Sequence, residues 1–87
     1  MEKEKTEMVY QPKGVCSKAI DVEVEGDVIR SVKFTGGCNG NLQGIASLVA
    51  GMRIEDAISK LRGIKCGLKS TSCPDQLACA LQEILDN

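Results

Sequence analysis

The stretch Ala19-Ile20-Asp21-Val22-Glu23-Val24-Glu25-Gly26-Asp27-Val28-Ile29-Arg30-Ser31-Val32-Lys33-Phe34 decides the fold class. Its first part alternates. Ile20, Val22 and Val24 take one side and Asp21 and Glu23 the other, which is the period-two pattern of a strand with one buried face. Glu25-Gly26-Asp27 supplies turn chemistry. Beyond the turn, Val28, Val32 and Phe34 are expected on one face of a returning strand, with Arg30 as an interruption. Two such runs around a short glycine-containing turn predict a β-hairpin. Upstream, Val9-Tyr10 adds a short third strand at the sheet edge, closed by Pro12, which has no N–H to give to a ladder.

Downstream the period changes. Thr35-Gly36-Gly37-Cys38-Asn39-Gly40-Asn41 reads as a tight strand-to-helix turn with Asn41 as N-cap. Leu42, Ile45, Ala46 and Val49 follow at helical spacing up to Gly51. Ile54, Ala57, Ile58 and Leu61 repeat that spacing up to Gly63. After a loop over Ile64 to Ser70, Ser72-Cys73-Pro74-Asp75 opens a last helix, in which Pro74 is tolerated and Asp75 favours the start. Its expected apolar stripe is Leu77, Leu81, Ile84 and Leu85. Strands first and helices after predict an α+β fold, a small antiparallel sheet of two or three strands followed by three helices packed on one face. A single domain is expected over residues 9–87, behind a charged, frayed tail over residues 1–8.

Composition bounds the function. The chain has 87 residues, 43% of them hydrophobic and 26% charged, and a net charge of −1, which excludes a disordered or fibrous class. That balance carries no basic footprint for nucleic acid or an anionic membrane. No apolar run is long enough to span a bilayer. The opening Met1-Glu2-Lys3-Glu4-Lys5 does not resemble a secretory leader, so a cytoplasmic protein is expected. One Phe, one Tyr and no Trp leave a core of small side chains, of the kind that often needs a staple. An exposed sheet edge also admits a homodimer.

The staple is sought among five cysteines, since there is no histidine. Outside an oxidising compartment, metal binding or thiol chemistry is expected ahead of a disulfide framework. Cys16 precedes a strand, Cys38 sits in the glycine-rich loop, Cys66 lies in a loop and Cys73 starts the last helix. All four are at element ends, where side chains from different elements can converge. Cys79 falls on the solvent face of its helix. Cys38 and Cys73 each precede a helix N-terminus, whose partial positive charge stabilises a thiolate. Four converging thiolates match a tetrahedral Cys₄ site for zinc, or an iron–sulfur cluster. The spacing lacks the short C-x₂₋₄-C pairs of most zinc sites, so small buried hydrophobes are the alternative reading of the same residues. The absence of histidine excludes Ser–His and Cys–His nucleophile pairs, and no catalytic residue is expected. The loop Gly36 to Asn41 does not end as a P-loop does. An anion nest there, with Lys33 and Lys69 as partners, is a secondary reading.

Thr71-Ser72-Cys73-Pro74-Asp75 is the five-residue signature of the TSCPD domain family. Gly14-Val15-Cys16-Ser17 and Phe34-Thr35-Gly36-Gly37-Cys38-Asn39-Gly40-Asn41 also resemble that family's segments, over nearly the whole chain. The resemblance implies that Cys16, Cys38, Cys66 and Cys73 are the family's metal-binding cysteines, with Cys79 outside the set. The domain is best known at the C-terminus of ribonucleotide reductases, which implies an accessory role beside that enzyme or another. The chain itself is too short for a reductase barrel. A second resemblance is to U-type iron–sulfur cluster scaffolds, in which three cysteines at the tips of a small sheet and helices hold a nascent cluster. Cys16, Cys38 and Cys73 would stand at equivalent places. Here Ser17-Lys18 follows the first cysteine where those scaffolds have Gly-Asp, and Cys66 adds a fourth thiol. Both departures imply a closed, stable site, with zinc as the expected metal and a thiol-redox or iron–sulfur carrier as the alternative.

Overall fold

The computed structural model describes residues 5–15, 17–37, 39–65 and 67–86, with Asn39 described by its backbone alone. Three strands, β1 (Lys5–Tyr10), β2 (Ser17–Glu25) and β3 (Val28–Gly36), precede three helices, α1 (Asn39–Val49), α2 (Ile54–Leu61) and α3 (Cys73–Asp86). The sheet is antiparallel throughout, in the order β1-β2-β3. This is the α+β architecture expected from the order of periodicities. Ile20, Val22 and Val24 of β2 are buried as the alternation predicts, and they join Ile54, Ala57, Leu77 and Leu81 in one apolar cluster. The opposite face of the sheet carries Glu7, Val9, Asp21, Glu23, Ser31 and Lys33 around a shallow depression.

Two β-bulges reset the faces. Glu23 pairs with Ser31 but Val24 pairs with Ile29, so Arg30 is an extra residue on β3. The slip brings Ile29 to the core, where it is fully buried, and leaves Val28 at the rim. The expected face of Val28, Val32 and Phe34 is thus corrected to Ile29, Val32 and Phe34. Strict alternation does not survive an inserted residue. At the other end of the hairpin Ser17 pairs with Gly36 and Ala19 with Thr35, which makes Lys18 the extra residue on β2. Ser17 thereby turns to the same side as Ile20 and is buried.

Other boundaries also move. β1 begins at Lys5, so residues 5–8, expected in a frayed tail, belong to the sheet. Met8 and Tyr10 pack against the core from one side of β1, and Thr6 is paired with Val24. The single apolar Met8 among charged residues gives too weak an alternation to announce a strand. Helix α1 starts at Asn39, which puts Asn41 inside the helix and not at its cap. Gly36 (φ +81°) and Gly37 (φ +79°) turn the chain at the end of β3. In α3, Leu85 is 40% exposed while Ala78 and Ala80 are fully buried. Leu85 lies on the same arc as Leu81 but in the last turn, where the core has ended.

The link from α1 to α2 closes part of the β3 edge. The Ile29 N–H donates to the Met52 carbonyl at 2.8 Å, the Gly51 N–H to the Ile29 carbonyl at 2.7 Å, and the Ile54 N–H to the Asp27 carbonyl at 2.8 Å. The helices thus cover one face of the sheet, and the first residues of β2 and of α3 meet at one end of it. Among the described residues, no helix is long and apolar enough to cross a membrane.

Candidate metal centre

Helix α3 is capped by its own signature sequence. The Ser72 hydroxyl accepts the Asp75 N–H at 3.2 Å and donates to the Ile64 carbonyl at 2.6 Å, while the Ser72 carbonyl accepts the Gln76 N–H at 2.8 Å. Pro74 stands in the first turn, where a missing N–H costs nothing. The Asp75 carboxylate reaches outward on both oxygens. Oδ1 accepts the Gly63 N–H at 2.7 Å and Oδ2 accepts the Thr71 hydroxyl. The Gln76 amide donates to Thr71 Oγ1 at 3.0 Å and accepts the Lys13 N–H at 3.1 Å. One hydrogen-bonded chain therefore ties three places to the α3 start: Lys13, residues 63–64 and residues 71–72. A hydrogen bond from Thr71, then one from the Gly63 N–H, hold the Asp75 carboxyl below its ordinary pKa.

Cys73 is at the centre of this arrangement. Its side chain is buried, and its sulfur lies 3.3 Å from the Ser17 hydroxyl across the end of β2. The bulge at Lys18 is what brings Ser17 there. On its other side Cys73 lines an open cleft of about 540 Å³, together with Gly40, Asn41 and Leu42 of α1 and with Ile64 and Lys65. Gly14 comes close as well: a Cβ on it would lie 3.4 Å from the Thr71 methyl, and its φ of +73° is one that glycine adopts without strain.

Of the four cysteines expected to bind metal, Cys73 is described. Cys16, Cys38 and Cys66 lie outside the described residues. Each has described chain neighbours around Cys73: Ser17 for Cys16, Gly40 and Asn41 for Cys38, Lys65 for Cys66. Among the described residues no three of Cys, Asp and Glu stand together as a metal site. Cys79 is exposed on α3, as its helical position predicts. Partial burial, then the charge of Asp75, pushes its thiol pKa up.

Reading the sequence misses Ser17 and the bridging role of Asp75. The Ser72-x-x-Asp75 spacing signals a cap, and here the carboxylate spans to Gly63 instead of folding back on its own helix. Nothing in the alternation of β2 announces that Ser17 faces inward. The residues of Thr71-Ser72-Cys73-Pro74-Asp75 thus each have a place: Thr71 and Asp75 join segments, Ser72 caps, Pro74 opens the helix, and Cys73 meets Ser17.

No curated protein and no solved structure matches the chain. The sequence profile of the TSCPD domain matches residues 2–85, the span that contains the three strands, α1, α2, all but the last residue of α3 and every capping bond described above, and the chain belongs to the TSCPD domain family.

Proposed function

We propose that this chain is a small metal-binding module in which Cys16, Cys38, Cys66 and Cys73 hold one Zn²⁺. The observation that carries the reading is convergence. Consecutive Cα atoms are about 3.8 Å apart, so a residue stays near its chain neighbours. Ser17, Asn41 and Lys65 come from three different parts of the chain and all gather about Cys73. The donor chemistry fits as well. Thiolates are soft ligands that suit zinc, and a hydroxyl beside a ligand sulfur is the kind of outer partner that orients it.

The metal's role in this reading is to hold the ends of β2, α1 and α3 together. In small zinc peptides such a site contributes roughly 10–16 kcal/mol to folding. A core with one Phe and no Trp gains most from that contribution. We infer no chemistry of the chain's own. The family's association with ribonucleotide reductase supports an accessory role beside that enzyme.

Elemental analysis and an absorption spectrum test the reading, on protein purified without oxygen and without a metal-affinity tag. About one zinc per chain with no visible absorbance is the expected result. Cys73→Ser should lower the zinc content and the melting temperature, and Cys79→Ser should change neither. Iron with charge-transfer bands would replace this reading with that of a cluster carrier. Full zinc and an unchanged melting temperature in Cys73→Ser would remove Cys73 from the ligand set.

A further inference from the structure

The cleft beside Cys73 has a composition that a structural metal site does not require. Phe34 to Met52, a run that includes all of α1, contains no charged residue, and between Gly63 and Pro74 the only charges are Lys65 and Lys69. The acidic residues of the chain lie elsewhere, apart from Asp75, whose carboxylate is engaged by Thr71 and Gly63. Leu48 projects from α1 77% exposed, and Ile64, which also lines the cleft, is 42% exposed. Leu68 is fully exposed in the loop whose two ends, Ile64-Lys65 and Ser72, both line the cleft. Three of the large exposed apolar side chains thus belong to one trough and its adjoining loop, while the two others, Val9 and Leu85, stand apart on β1 and near the end of α3. Clustered exposure of this kind marks a contact surface.

We propose that this cleft docks a segment of a partner protein that is apolar at its centre and carries carboxylates at its flanks. Leu48, Ile64 and Pro74 receive the apolar centre, and Lys65 at the cleft and Lys69 in the adjoining loop supply the positive charge for the flanking carboxylates. Charge decides between this occupant and a second copy of the chain. Two-fold pairing would put this same face on both sides of the interface, and among the described residues the face offers Lys65 and Lys69 no free carboxylate, since Asp75 is already engaged by Thr71 and Gly63. An acidic segment turns the same two lysines into attraction. The inference rests on the cleft itself and stands whether or not the cysteines hold zinc.

The test is a selection of displayed random sixteen-residue peptides on the purified chain. The selected peptides are then titrated against the ¹⁵N-labelled protein. Enrichment of peptides with a central pair of apolar residues and flanking Asp or Glu is expected, with amide shifts confined to residues 40–48, 64–65 and 67–73. Leu48→Glu should abolish binding while leaving the spectrum folded, because Leu48 is exposed. Lys65→Glu with Lys69→Glu should weaken binding about tenfold, and added salt should weaken it in the parent. Selected peptides without acidic residues, peptides that bind Leu48→Glu as well as the parent, or no enrichment at all would overturn the proposal. So would sedimentation showing that the chain alone self-associates through Leu48. Zinc content measured on the same samples keeps the result separate from the metal reading.

Discussion

The Ser17 hydroxyl and the Cys73 sulfur stand 3.3 Å apart, both buried, although 56 positions separate them in the chain. Neither residue reaches the other by regular structure alone. Ser17 faces inward because Lys18 is bulged out of β2, and Cys73 is held by the cap that Ser72 makes at the start of α3. The contact joins the beginning of the hairpin to the beginning of the last helix. Under the proposed function it sits beside a ligand sulfur.

Ser17→Ala separates these roles. The substitution keeps the bulge and removes only the hydroxyl. Outer-shell hydrogen bonds of this kind typically change metal affinity about 10–100-fold. Ser17→Ala is therefore expected to lower zinc affinity about tenfold, at the bottom of that range, in competition with a chromophoric chelator, and to keep the parent secondary structure by circular dichroism. Unchanged affinity would mean that the hydroxyl serves packing alone.

Asp75→Asn tests the clamp on the other side of Cys73. The carboxylate accepts from Gly63 and Thr71, and loss of charge-assisted bonds at this half-buried site should cost about 1–2 kcal/mol. The pH dependence has a definite sign. The folded pKa lies below the ordinary value, the Thr71 hydrogen bond being the largest cause. The stabilisation is thus complete above the unfolded pKa of about 4, and it is lost as pH falls through the lower folded value. In urea unfolding between pH 7 and pH 2.5, parent minus Asp75→Asn should be constant down to about pH 4 and shrink as the pH falls from there toward the lower folded value. A difference that grew on acidification would contradict the bonding.

Two glycines predict opposite outcomes for the same substitution. Gly14 has φ +73°, a conformation that strains any residue with a Cβ, and an added Cβ would stand in contact with the Thr71 methyl at 3.4 Å. Gly14→Ala should destabilise by about 1–2 kcal/mol. Gly44 lies within α1 with open space around its missing Cβ. Gly44→Ala should stabilise by about 0.5–1 kcal/mol through helix propensity. Thermal melts of the two variants beside the parent check both signs.

Much of the architecture is legible in the residues, and the reasons for the rest are specific. Ile20, Val22 and Val24 are buried because nothing interrupts β2 between them, so a period of two survives. The α2 face of Ile54, Ala57 and Ile58 is buried for the same reason at the helical period. The alternation fails at Ser17 and at Ile29, next to extra residues whose effect depends on the partner strand and not on local sequence. At the site, the cap of α3 follows from Ser72 and Asp75, whereas the reach of Asp75 to Gly63 depends on where the end of α2 comes to lie.

The Arg30 bulge yields the sharpest test of that distinction. A one-residue slip moves a strand's side chains to the opposite face, so the extra residue is what lets Ile29 and Val32 share the core. Arg30 itself contributes little through its side chain, because its ion pair with Glu25 is 3.6 Å long and its side chain is 60% exposed. Arg30→Ala should therefore stay within about 0.5 kcal/mol of the parent. Deleting Arg30 keeps every core residue in the sequence but forces Ile29 out of the core or breaks the turn at Gly26. Loss of a buried Ile side chain costs about 2–5 kcal/mol. Urea unfolding should show the deletion variant destabilised by at least that amount, with Arg30→Ala unchanged. A deletion variant as stable as the parent would mean that the hairpin absorbs the lost residue in its turn, and that Ile29 reaches the core by another register.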